Sequence, residues 1–317
     1  MDIPRRTTRR ELPVVLALAA LLLLFSAAAR AEPYSNVASF WALGMGARPL
    51  AMGDAFVGLA DDENALLRNQ AGLAWGDGLS VLSAVEVRPY TASYGHVSAC
   101  LENFGLSLHY FDFGEVPQMD EFGNAIGTFS YRNYGLVIGT GVVAANPPFL
   151  PRMPLADCVA FGLSVKLSVI DTLDAGDGHG FATDFSLLFR LDDPWFRAPY
   201  LTRLAFGVQV KNLLAKPIRY TSGHHERWLK EAAVGSAIEI TDSIIASLQV
   251  TSADTVHLGV EWSPVPGLAL RGGLKREGLW LWSLGAGLEF GRFTFNYALV
   301  FHPHLRSQHR GAVRLSW

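Results

Sequence analysis

Past Ala31 the sequence has no apolar run long enough for a transmembrane helix, which excludes an α-helical membrane protein. Charge is scarce too: 17% of the 317 residues are Asp, Glu, Lys or Arg, against 50% hydrophobic. Two cysteines, Cys100 and Cys158, are too few for a disulfide framework and read as small apolar fillers. No basic cluster suits nucleic acid. No serine sits in a nucleophile elbow, and no clustered Ser/His/Asp set marks a lipase or acyltransferase, so no enzyme is expected. A chain this apolar must nevertheless hide its surface somewhere.

What is present begins with an export signal. Arg5, Arg6, Arg9 and Arg10 precede an unbroken apolar stretch, Val14 to Phe25, and Ala29-Arg30-Ala31 fits the small-x-small cleavage pattern. The apolar stretch is shorter than a bilayer-crossing helix, and no stop-transfer pattern follows. A twin-arginine reading of Arg9-Arg10 is disfavoured, because a membrane barrel must travel unfolded. Cleavage removes five arginines and two acids, taking the formal charge from -3 to -6.

From Gly78 onward, apolar residues recur at every second position, the mark of strands with two unlike faces. Phe161, Leu163, Val165, Leu167 and Val169 oppose Gly162, Ser164, Lys166 and Ser168. Trp280, Trp282, Leu284, Ala286 and Leu288 oppose Ser283, Gly285, Gly287 and Glu289. A soluble β-sandwich, the competing architecture, would carry many charges on its non-core face rather than Gly, Ser and Ala. Small residues opposite large apolar ones suit a confined lumen with lipid outside.

The expected fold is therefore all-β, a transmembrane antiparallel barrel of about 14 strands over residues 77–317. A signal peptide (1–31) and an amino-terminal plug with a short helix (32–76) precede it. Gly114 to Thr128, Leu214 to Trp228 and His302 to His309 read as long extracellular loops. Asn146 to Ala156 and Asp192 to Leu201 are longer periplasmic links than barrels usually have. The last strand ends on Trp317, as in the terminal strands that the barrel-assembly machinery recognises.

The segment before the strands does not alternate. It reads Gly44-Met-Gly46-Ala-Arg48-Pro-Leu-Ala-Met-Gly53, then Asp61-Asp62 and Asn69-Gln-Ala-Gly72. Asp61 or Asp62 would cap a short helix over Asn64 to Asn69, and Gly72 would stop it. The glycines lack the dinucleotide spacing and a preceding strand, so they do not form a phosphate cradle. This stretch resembles the amino-terminal motif of the PorV/PorQ family, relatives of the FadL-type fatty-acid transporters. Gly46, Ala47, Arg48, Met52, Gly53, Ala55, Phe56, Asp61, Asp62, Asn69 and Gly72 all match that motif. Gln70 departs from it, standing where the family has proline, which removes a rigid φ. Weaker similarity runs through Val210-Lys211-Asn212 and Leu270-Arg271-Gly272. The resemblance implies a plugged barrel in the bacterial outer membrane, in contact with its lipid. It implies either transport of a hydrophobic molecule, as in FadL-type relatives, or service to protein secretion as a surface tether for an exported protein, as in PorV-type relatives.

Lys166, Asp184, Arg190, Lys211, Glu239, Glu261, Arg271, Lys275, Glu289 and Arg314 fall on lumen-facing positions. Their mixed signs favour a structural network of pairs, with ligand selectivity as the other reading. The acids Asp171, Asp174 and Asp177 miss the spacing of a calcium loop. His224, His225, His302, His304 and His309 lack zinc-ligand spacing, so neither metal nor cofactor is expected.

Overall fold

The computed structural model describes residues 39–87, 92–144, 156–172, 176–192 and 200–317. Its strands are β1 (Leu79–Val87), β2 (Ser93–Leu101), β3 (Phe104–Met119), β4 (Ala125–Val143), β5 (Val159–Asp171), β6 (Gly178–Asp192), β7 (Leu201–Tyr220), β8 (His225–Glu226), β9 (Glu231–Ile240), β10 (Ile244–Thr251), β11 (Val256–Val265), β12 (Leu268–Glu277), β13 (Leu279–Phe290), β14 (Phe293–Phe301) and β15 (Gln308–Ser316). Neighbours in sequence pair antiparallel, and β1 closes on β15 from Ser80↔Ser316 to Val87↔His309. With the two-residue β8 lying off the wall, the result is a closed barrel of 14 strands. Closure leaves no free sheet edge, as spanning a bilayer requires.

The period-two rule places the apolar rows outside. Phe161, Leu163, Val165, Leu167 and Val169 are 38–51% exposed, while Ser164, Lys166 and Ser168 are buried. Trp282, Leu284, Leu288, Phe293 and Phe295 continue the same exterior. An apolar outside around a polar inside is the arrangement that hydrocarbon demands of a transmembrane barrel. Among the described residues no helix is long and apolar enough to cross a membrane.

Two of the expected extracellular loops are instead strand. The first becomes the upper part of the β3–β4 hairpin, which pairs as far as Met119↔Ala125. Asp120 makes that turn: its carboxylate accepts from the amides of Phe122 and Asn124 at 2.9 and 2.7 Å, and Gly123 takes φ +81°. The second becomes the end of β7, and β8 folds back against it at Ile218↔Glu226. The expected helix over 64–69 also differs. Asp62 does accept from the Asn64 amide at 2.9 Å, but helix covers only Ala65–Arg68 and breaks at Asn69, whose side chain caps a second helical turn, Gln70–Trp75. Gly72 lies inside that second turn and stops nothing; a Cβ there would fall 1.8 Å from the Ala60 carbonyl oxygen. The export signal, residues 145–155, 193–199 and the middle of the 171–177 acid loop lie outside the described residues.

Residues 44–76 occupy the lumen. They are almost wholly buried and form one hydrophobic cluster with inward residues of β1, β2, β4, β5, β6, β7, β14 and β15, and a second, through Met52, Phe56 and Leu59, with Ala237 of β9. The fit is made by strand glycines. A Cβ on Gly207 would fall 1.9 Å from the Val57 carbonyl oxygen, one on Gly162 2.1 Å from the Ala71 amide, and one on Gly273 2.1 Å from the Gly53 amide. The segment therefore packs backbone to backbone against the wall.

Candidate functional site

Arg48 is the hub that ties this segment to the barrel. Its guanidinium meets Asp61 at 2.6 Å and Asp62 at 2.9 Å, both from its own segment, and grips Glu261 of β11 through Nε and Nη2 at 2.8 and 2.9 Å. Glu261 is held a second time by Arg271 of β12, at 2.5 Å. Burial by itself would pull Arg48 down, but the carboxylates of Asp61, Glu261 and Asp62 outweigh it and hold the group well above its ordinary value. Arg48 stays charged at any working pH. These side chains, with Glu289 and Arg314, line a polar cavity of about 310 Å³ at the end of the barrel that holds the β11–β12 and β13–β14 turns.

Further ties surround it. Glu63 pairs with Arg314 of β15 at 2.8 Å, and Arg203 of β7 reaches Glu239 at 3.0 Å and Asp61 at 3.8 Å. Within the segment, Asp54 pairs with Arg68 at 2.5 Å. Burial would raise the Asp54 carboxyl, but Arg68, together with the more distant Lys275, His257 and Arg310, outweighs it and leaves the group below the ordinary carboxylate value. Towards the opposite end of the barrel Arg310 pairs with Glu86 and donates to the carbonyl oxygens of Gly46 and Leu43 at 3.0 and 2.8 Å. His96 accepts from the Gly46 amide at 2.8 Å, and Tyr94 donates to the Gly44 carbonyl at 2.5 Å.

Above the segment the lumen turns aromatic. Trp41 lies 5.2 Å from His109 and 6.5 Å from Trp228, centroid to centroid. Lys166 Nζ stands over both indoles, at 5.9 and 5.8 Å, and pairs with Asp184 at 2.7 Å. Ile170, Ala182, Ile218, Tyr131 and Tyr220 complete the cluster. Several polar atoms beside it are buried without a hydrogen-bond partner: Ser164 Oγ, Ser168 Oγ, Asn133 Oδ1 and Asp184 Oδ2.

The wall next to this cluster is irregular. Between Thr183↔Leu214 and Phe185↔Val210 the three residues Lys211, Asn212 and Leu213 face Asp184 alone, and between His179↔Arg219 and Phe181↔Lys216 the pair Pro217-Ile218 faces Gly180. Asn212 takes φ +57°, and its amide donates to Asp184 at 2.8 Å. The β6–β7 seam is thus the place where the ladder is most interrupted.

Solved structures share this architecture. A monoaromatic hydrocarbon channel, the TodX deltaS2S3 mutant, superposes with a TM-score of 0.60 at 13% identity, covering 86% of this chain and 97% of that one. The Ralstonia pickettii toluene transporter TbuX gives 0.57 at 12% identity, covering 86% and 98%. The Pseudomonas putida toluene transporter TodX gives 0.57 at 14% identity, with the same coverage. The fold is the one those channels have. No protein-family model matches the sequence, and no curated protein matches it significantly.

The residues singled out in the sequence fall into three places. Arg48, Asp61, Asp62, Glu261 and Arg271 meet in one network, with Glu289 and Arg314 on the same cavity. Lys166 and Asp184 form the pair under the tryptophans, while Lys211 pairs apart from them with Glu231 at 2.6 Å. Arg190 sits over Trp75 at 5.4 Å beside Asp192, and Lys275 pairs with Glu277, so these two join neither group. Gly46 and Gly53 make turns at φ +61° and +63°, and Asn69 Nδ2 donates to the carbonyls of Val57 and Leu187. Sequence reasoning passed over Trp41, Trp228, Glu63, Glu86 and Arg310. Glu86 and Arg310 could have been found by parity, since both fall on the inward phase of the first and last strands. Cys100 is buried and Cys158 half-buried, both as free thiols. Among the described residues no group of three His, Cys, Asp or Glu is placed to hold a metal ion.

Proposed function

We propose that the protein is a non-enzymatic barrel of the bacterial outer membrane, reached by way of a cleaved signal over residues 1–31, and that it binds and passes a small hydrophobic molecule. The observation that carries this reading is the aromatic chamber of Trp41, Trp228, Tyr131, Ile170 and Ile218, which stands in the lumen above the segment. A pore for small ions has no use for such a lining, whereas an apolar passenger gains by leaving water there. The likeness to hydrocarbon and toluene channels supports the same reading, and an aromatic hydrocarbon fits the lining by stacking. Residues 44–76 act as a plug below the chamber, holding back water and ions. Assembly follows recognition of the carboxy-terminal strand β15 by the barrel-assembly machinery, with outer-membrane lipid as the surrounding partner.

The test is quenching of tryptophan fluorescence by toluene titrated into detergent-purified protein. Saturable quenching that falls at least tenfold in apparent affinity in Trp228→Ala supports the chamber, and quenching that is linear and unchanged in the variant contradicts it.

A second reading, the PorV/PorQ-type tether for an exported protein, has one observation in its favour. The β3–β4 hairpin stands beyond the wall and exposes Phe122 at 82%, Ile126 at 60% and Met119 at 55%. Replacing residues 116–128 by a two-residue turn would abolish surface retention of such a cargo under this reading and leave hydrocarbon uptake intact.

A further inference from the structure

The lipid-facing side of the β6–β7 seam carries a groove of about 450 Å³ that the chamber does not use. Leu167 and Val169 of β5, Phe181 of β6 and Pro217 of β7 form its floor, and its rim holds Lys216, Arg219 and His179. All seven lie at the extracellular ends of their strands or in the part of β7 that extends past the bulge. We infer that this groove binds one phosphorylated glycolipid of the extracellular leaflet, acyl chain on the floor and phosphate on the rim.

The argument rests on charge and position. Cations on the lipid face of a barrel are costly within the hydrocarbon and tolerable only near the interface, where an anion can meet them. Arg219 and His179 are direct register partners, and Lys216 lies next to them, opposite Phe181. Lys216 and Arg219 line the same groove, and like charges on one groove repel unless a counter-charge joins them. Elsewhere on this rim the protein supplies that charge itself: Arg132 pairs with Asp112 at 3.4 Å. Among the described residues, neither Lys216 nor Arg219 has an ion-pair partner; Asp171, the last residue of β5, stands in register with Arg132, and Glu226 stands in register with Ile218, on the other face from Arg219. Lys216 Nζ lies 5.4 Å from the centre of the Phe181 ring, so its charged head stands beside the apolar floor. One molecule with an acyl chain beside a phosphate satisfies both halves of the groove. The extracellular side of an asymmetric outer membrane offers that molecule as lipid A. The inference requires the transmembrane barrel but neither reading of what passes through it.

Native mass spectrometry of the full-length protein, released from a mild detergent after incubation with bis-phosphorylated lipid A, tests it. The wild type is expected to retain one lipid A per barrel, and the Lys216→Ala/Arg219→Ala variant at least tenfold less, with equal retention of phosphatidylcholine. Leu167→Trp, which fills the floor and keeps both cations, is expected to lose lipid A as well; it serves as the second probe should the double variant fail the heat-modifiability check of folding. Equal retention by wild type and variants would overturn the proposal. So would retention of dephosphorylated lipid A, or of phosphatidylglycerol, at the level of bis-phosphorylated lipid A.

Discussion

Gly207 and Gly272 are both strand glycines, yet they face opposite environments. Gly207 has the Val57 carbonyl where a side chain would begin, and Gly272 has nothing within 4 Å. Gly207→Ala should therefore cost about 1–3 kcal/mol, the usual range for overpacking, whereas Gly272→Ala should lie within about 0.5 kcal/mol of wild type. Urea unfolding in detergent, followed by the gel-mobility shift, separates the two. The alternation of small with large residues was readable from sequence as a confined interior. Which of those small residues must be glycine was not, because the cause is a backbone distant in sequence, such as Val57 for Gly207. Asp54 gives a residue-scale prediction of another kind. Its carboxyl is held below its unfolded value, so it stabilises fully above that value, about pH 4, and the contribution fades as pH falls through the lower folded value. Hydrogen exchange over residues 48–72 should rise below about pH 4 in the wild type; Asp54→Asn should exchange faster at neutral pH and lose the acid step.

The amino-terminal segment is the element that fills the lumen, and Arg48 fixes it. Removing this guanidinium leaves Asp61, Asp62 and the buried Glu261 facing one another with only Arg271 and the distant Arg203 to balance them. Arg48→Met should cost about 3–5 kcal/mol, the usual penalty for breaking a buried pair from one side. The loss should fall on the segment and not on the strands. Exchange should speed up across residues 44–76 while β12 to β15 keep their protection. The residues of this motif were legible as a unit, since they do not alternate and they carry paired acids. Their partner Glu261 was legible only as an inward position. The hairpins are not legible for local reasons: Glu115 to Met119 extends beyond the wall, where the two faces of a strand meet the same surroundings, and in Leu214 to Tyr220 the bulges against Asp184 and Gly180 shift the period, so the alternation that betrays a strand fades.

At the scale of the whole molecule, a 14-strand wall encloses its own amino-terminal segment, with an aromatic chamber above and a charged cavity below. The inward and outward faces were legible because the bilayer imposes them on every strand, and the strand count because turns interrupt that alternation. The chamber was not, because Trp41 precedes the plug motif and Trp228 lies beyond the end of β7, and only the closed barrel brings their rings to 6.5 Å. The central claim is that the segment seals the lumen. Single-channel recording in a planar bilayer tests it most directly, comparing the full chain with Arg48→Met. The account predicts a silent wild type, without porin-like steps, and transient openings in the variant. Steady porin-like conductance from the wild-type protein would contradict it.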